Sequence, residues 1–139
     1  MQTTQEIPRA QWPRFCEEFS RSHHGWLATL GTITSDVLLA NPQAAEDVVK
    51  IAVDEKLFQG ITGETQSDKL ELFISLGQGP DHITHRISQP QRIRLEQTAE
   101  GAHRGLQIDT ANGQTTLLRF RTAAQLETLD GLSEAEQRL

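Results

Sequence analysis

Leu106-Gln107-Ile108-Asp109-Thr110-Ala111-Asn112-Gly113-Gln114-Thr115-Thr116-Leu117-Leu118-Arg119-Phe120-Arg121 decides how the back half of this chain folds. An Asn-Gly pair between two alternating segments signals a β-hairpin. Side chains along a strand alternate between faces, so Leu106 and Ile108 share one side, and Thr116, Leu118 and Phe120 share one side of the return strand. Loop length then fixes the register. A two-residue loop sets Ile108 against Leu117 and Leu106 against Arg119, which mixes core with charge. A three-residue loop, Ala111-Asn112-Gly113, sets Leu106 against Leu118 and Ile108 against Thr116. The longer loop is the consistent one: a type I turn followed by a left-handed Gly113 at a bulge.

The same alternation extends backwards. Leu70, Leu72, Ile74 and Leu76 share one face, and Ile83, His85 and Ile87 share one face of a returning strand. A four-residue loop at Gly77-Gln78-Gly79-Pro80 predicts Ile74 against Ile83, Leu72 against His85 and Leu70 against Ile87. Gln89-Pro90 breaks that strand, and Ile93 and Leu95 point inward from the next. If 91–97 pairs with 105–110, Arg92 lies near Asp109 and Arg94 near Gln107.

Toward the N-terminus the period changes. Trp12, Phe15, Cys16, Phe19 and His23 recur at helical spacing and form one apolar stripe. Pro8 and Pro13 mark its start and Gly25 its stop, with a short turn at 8–11. Residues 1–7 read as a loose arm. Residues 25–33 read as a strand. Asn41-Pro42 followed by Glu46 and Asp47 predicts a helical turn at 42–47, after which 48–54 and 56–62 read as two strands, with Gly60 at a bulge. The tail, 122–139, is acidic and reads as partly helical, Ser133 and Glu136 having capping-box spacing. The expected organisation is an arm at 1–7, one α+β domain at 8–121 and an acidic tail. The expected fold is an N-terminal helix packed on a curved, mainly antiparallel sheet of about six or seven strands.

The chain has 139 residues and a net charge of −6, acidic at both ends and slightly basic over 69–121. That balance argues against non-specific nucleic-acid binding. No apolar run approaches the roughly 20 residues of a membrane helix, and the first residues lack the pattern of a signal peptide, so the expected compartment is the cytoplasm. Cys16 is the only cysteine and reads as an inert thiol in the helix stripe.

Several segments match the opening and closing patterns of one family. They are Ile7-Pro8-Arg9, Trp12-Pro13, Phe15, Phe19-Ser20-Arg21, His23 and Gly25-Trp26-Leu27, then Gly60-Ile61, His82-Ile83-Thr84-His85, Arg92 to Thr98, and Thr115 to Arg121. Over residues 7–121 the chain resembles a bacterial family of small uncharacterised proteins, a domain of unknown function, with 34–55 longer than the family pattern. The resemblance implies a common fold unit and carries over no catalytic residue.

Candidate chemistry is sparse. On a strand, His82 and His85 face opposite sides, so they make a poor metal pair, although a metal-dependent enzyme using them is one alternative. Arg92, Arg94, Arg119 and Arg121 are expected on the solvent side of the sheet, as cross-strand ion pairs or as an anion or RNA surface that lacks aromatics for stacking. Gly77-Gln78-Gly79-Pro80 lacks the lysine of a phosphate loop, and no nucleophile elbow is present. No cofactor motif is found. Trp12 and Trp26 flank the helix-to-strand corner and could line an apolar pocket. The reading favours a non-enzymatic binding or protein-interaction module, whose partner is a protein, a small ligand, or a second copy joined through a sheet edge. An enzyme would need His23, His82, His85 and a carboxylate in one cleft.

Overall fold

The structure, a computed structural model, describes residues 2–40, 49–66 and 68–124. The expected helical turn at 42–47 and the tail beyond 124 lie outside the described residues. In chain order the elements are β1 (Gln2–Ile7), α1 (Trp12–His23), β2 (Leu27–Thr34), α2 (Ser35–Ala40), β3 (Lys50–Gln66), β4 (Lys69–Leu76), β5 (Ile83–Ser88), β6 (Pro90–Thr98), β7 (His103–Thr110) and β8 (Gln114–Ala124). They form an open antiparallel sheet of eight strands in the order β1-β6-β7-β8-β2-β3-β4-β5. The α+β class holds, with more strands than the six or seven expected.

The added strand is β1. The segment read as an arm pairs with β6 over Gln2–Ile7, from Gln2 opposite Thr98 to Ile7 opposite Ile93. Its own sequence shows little alternation, so its order comes from the hydrogen-bonding edge that β6 offers.

The β7–β8 hairpin has the three-residue loop. Leu106 faces Leu118, Ile108 faces Thr116, and Gly113 has φ +85°. The β6–β7 register also holds, with Arg92 opposite Asp109 and Arg94 opposite Gln107. The β4–β5 register differs by two residues: Ile74 faces His85, Leu72 faces Ile87 and Leu76 faces Ile83. The connection runs through Gly77 to His82 and contains a 3-10 turn at Gly79–Asp81, so it is longer than the four residues expected. A shift of two preserves the faces, which is why the inward residues are still the expected ones.

The two strands read at 48–54 and 56–62 are one bent strand, β3. Its first half pairs with β2 (Leu27 opposite Leu57, Thr32 opposite Lys50) and its second with β4 (Phe58 opposite Leu76, Gln66 opposite Lys69). The bend lies at Glu55, whose φ is +46°, and at a bulge between Phe58 and Gly60. These irregularities break the alternation without breaking the strand.

Where β3 leaves β2, its outer edge is taken up by α1. Ser20 Oγ accepts from the Ile61 N–H at 2.8 Å and donates to the Ile61 carbonyl at 3.1 Å. The N–H of Gly25 donates to the Phe58 carbonyl at 2.8 Å, and the Phe58 N–H donates to the Trp26 carbonyl at 2.7 Å. Backbone groups that a departing strand would strand without partners are satisfied by a helix and its exit turn.

The sheet also coils. β5 stands last in the strand order and β6 second, yet Gln89 alone joins them, and β4 touches β6. One core results, in which Trp12, Cys16 and Phe19 of α1 meet Phe58, Leu72, Ile74, Ile93 and Leu118. The opposite face of β2 and β8 carries a smaller cluster, Ile33, Leu38 and Leu117, with Val49 against it.

Candidate ligand-binding site

α1 lies antiparallel to the second half of β3. Its C-terminal end is bonded to Ile61 and Phe58, while its N-terminal residues share a depression with Thr65 and Asp68. Between the helix and the β3–β4 hairpin runs a trough of about 990 Å³, within the range of ordinary small-molecule sites. Its floor is Trp12, Cys16, Ile61, Leu70 and Leu72, all buried except the half-buried Leu70. The floor residues belong to the helix stripe and to the β3–β4 inner face, and Leu70 is the one among them that keeps appreciable surface toward solvent. Trp12 is held by donating from Nε1 to the Ile7 carbonyl at 2.9 Å, and the Arg9 guanidinium lies over its ring, 4.6 Å from the centroid.

The rim is polar. Arg9 and Asp68 stand toward the N-terminal end of α1, Glu17 at its middle, and Arg21 and His24 toward its C-terminal end. Beyond His24 the trough opens into a second depression of about 600 Å³, which shares His24, Gln59 and Thr62 with it and adds Ser75, Gln78 and His82. Cys16 is part of the floor but only 4% exposed, and burial pushes its thiol up to about 11. It is therefore a packing group and a poor nucleophile at neutral pH.

Of the residues singled out from sequence, Trp12 lines the trough and Trp26 does not. Trp26 packs edge-on against His23 and Phe120 on the other side of the helix end. His82 is exposed at the polar end, whereas His85 is half-buried on the inner face of β5, opposite Ile74, and burial lowers its pKa. Among the described residues no three His, Cys, Asp or Glu side chains converge as metal ligands. His23 is elsewhere again, sealed at 1% exposure between Phe19, Trp26 and Phe120. The three histidines thus sit in three separate settings.

The arginine face carries ion pairs, one of the two arrangements expected for it, with Arg94 and Arg119 less exposed than a solvated face would leave them. Arg94 reaches both oxygens of Asp109 at 2.7 Å, and Arg92 lies 3.8 Å from the same carboxylate. Arg119 grips Glu96 through Nε and an Nη at 3.1 and 3.0 Å, and Arg121 lies 3.5 Å from Glu55. Arg92 and Arg121 are well exposed, but Arg94 and Arg119 are only 16% exposed and Glu96 is 0% exposed. Gln107 adds a donor to Glu96 at 2.6 Å, and Thr115 donates to Asp109 at 2.8 Å. A carboxylate taken out of water needs a cation, and Glu96 and Asp109 take up the guanidinium groups of Arg119 and Arg94.

No curated protein and no solved structure matches the chain. A family model described as a family of unknown function (DUF5335) matches residues 3–129, which is most of the sequence, and the chain belongs to that family.

Proposed function

We propose that this protein is a binding module whose site is the trough between α1 and the β3–β4 hairpin, and that it takes a small molecule with an apolar body. The observation that carries the reading is the apolar floor of Trp12, Cys16, Ile61, Leu70 and Leu72 under a polar rim, in a concavity of about 990 Å³. An occupant would take the half-buried Leu70 out of water and lie against apolar side chains that offer a polar group no hydrogen-bond partner, and both effects favour an apolar occupant. The absence of an assembled catalytic motif from the sequence favours binding over catalysis. The setting in this reading is the bacterial cytoplasm, where a lone cysteine stays a thiol.

The test uses the neutral fluorophore N-phenyl-1-naphthylamine with a Trp26→Phe variant, in which Trp12 is the only tryptophan. Saturable emission excited through Trp12, and its loss in Gly63→Leu, are expected. A Cβ added at Gly63 would lie 3.3 and 3.5 Å from Leu72 and Leu70 side-chain atoms, so a leucine there would intrude on the trough. Absence of saturable binding, or binding indifferent to Gly63→Leu, would overturn the reading.

A second reading rests on the edge of β5, which among the described residues has β4 as its single neighbour and an exposed Ile83. Such an edge can pair with another copy of the chain. Light scattering tests it: a concentration-dependent dimer abolished by Thr84→Pro supports it, and a strict monomer rejects it.

A further inference from the structure

Resting on the trough reading, we infer that the ligand is a single-chain amphiphile with an anionic head, a carboxylate or a phosphate, held by Arg21, His24 and His82 at the polar end while its tail lies along the floor toward Trp12.

Three observations converge. The first is how the arginines are used. Arg14, Arg86, Arg92, Arg94, Arg119 and Arg121 each have a carboxylate partner. Arg104 also has a polar or ring partner. Among the described residues Arg9 and Arg21 have no carboxylate partner, and both line the trough. Among the described residues Lys50, Lys56 and Lys69 also have no carboxylate partner, but they line neither the trough nor the second depression; Arg9 and Arg21 are set apart by lining one concavity, where a guanidinium can serve an anion from outside.

The second is the asymmetry of the two ends. Arg9 is laid on the Trp12 ring and shares its end with Asp68, so charge there is balanced. The other end combines Arg21 and His24 with the depression that contains His82, Gln59, Ser75 and Gln78, and among the described residues no carboxylate lines that depression. Glu17 stands one helical turn before Arg21, on the side toward Trp12. The donors suit a planar carboxylate or a phosphate, both of which accept several hydrogen bonds from guanidinium, imidazole, amide and hydroxyl groups.

The third is continuity. His24, Gln59 and Thr62 belong to both the apolar trough and the polar depression. One molecule can therefore keep its chain on Leu70, Leu72 and Cys16 and its head among the donors. Neither part of the site alone explains the other.

The experiment displaces N-phenyl-1-naphthylamine from the full chain with dodecanoate, dodecyl phosphate, 1-dodecanol and dodecyltrimethylammonium, all below micelle formation, with inorganic phosphate as a separate arm. The two anions are expected to bind about tenfold tighter than the alcohol, the scale of a charge-assisted hydrogen bond, and the ammonium more weakly than the alcohol. The relative affinity of dodecanoate and dodecyl phosphate then states which head is preferred. Arg21→Ala with His82→Ala should bring the anions down to the alcohol's affinity. Arg14→Ala, which removes an equal charge from α1 outside the site, should leave the anion advantage intact. Equal binding of alcohol and anions, or an advantage that survives the double variant, would sink the head assignment while leaving the trough reading standing. Inorganic phosphate binding as tightly as dodecyl phosphate would replace the amphiphile with a free anion. Failure of the fluorophore itself to bind would remove the trough reading and this inference with it.

Discussion

His23 Nε2 lies 2.9 Å from His103 Nδ1, joining the last turn of α1 to the first residue of β7 across 80 positions of sequence. His23 Nδ1 faces the Phe19 carbonyl at 2.8 Å and so carries the proton. Its Nε2 is then the acceptor, and His103 donates from Nδ1. The chain of bonds holds both rings neutral.

This pair sets a pH dependence of stability. Burial, opposed by the Phe19 carbonyl and reinforced by His103, pushes the His23 pKa down to about 4. Burial also lowers that of His103. An unfolded histidine titrates near 6.5, so between about 6.5 and 4 the unfolded chain binds more protons than the folded one. Stability is complete above about pH 6.5 and falls as pH drops, by an amount on the order of 3 kcal/mol for His23. Urea unfolding at pH 7.5, 6 and 5 should show the midpoint falling. His23→Phe, which keeps the stacking on Phe120, should flatten most of that slope.

Removing the cation from Glu96 should be costly. Arg119→Ala takes a bidentate partner from a carboxylate with no exposure and is expected to lower stability by about 3 kcal/mol. Adding Glu96→Gln removes the buried charge and should recover part of the loss. Equal unfolding free energies for the single and double variants would contradict this account.

Gly105→Ala should be the harshest glycine substitution. A Cβ there meets the Leu118 carbonyl oxygen at 1.8 Å and Arg119 Cα at 2.9 Å, both backbone, and φ is +156°. β7 and β8 cannot keep their spacing, so a loss above about 4 kcal/mol or failure to fold is expected. Gly79→Ala, with φ +54° and open space around it, should cost only about 1 kcal/mol. Thermal unfolding of the two variants side by side gives the comparison.

Ser20→Ala removes both bonds to Ile61 and loosens α1 from the free edge of β3. A loss of about 1–2 kcal/mol is expected. Cys16 reports the same contact: thiol labelling should be slow in the native protein, faster in Ser20→Ala, and complete in denaturant.

The parts of this fold legible in the sequence are those in which period and turn chemistry act locally. The β7–β8 register follows from Asn112-Gly113 and two apolar faces, and α1 follows from the Trp12 to His23 stripe. The β4–β5 register was hidden because the turn at Gly79–Asp81 takes up extra chain while the faces stay the same. β3 read as two strands because Glu55 and the bulge beside Gly60 interrupt its alternation. The site was harder still. Trp12 was visible as an aromatic anchor, but the trough exists only because β3 parts from β2, and no residue pattern announces that parting. Arg21, His24 and Gln59 look like ordinary surface groups until α1 is laid beside β3. The link from His23 to His103 depends on which strand starts beside the helix end, and spacing says nothing about that.

Gln89 allows no slack. Because one residue spans the corner from β5 to β6, the β4 wall of the trough is tied through its neighbour β5 to β6, the strand that pairs with β7. The opposite wall, α1, is fastened at Ser20 and again at its exit turn. If the trough is the site proposed above, affinity should track how well a molecule matches the space between these two walls.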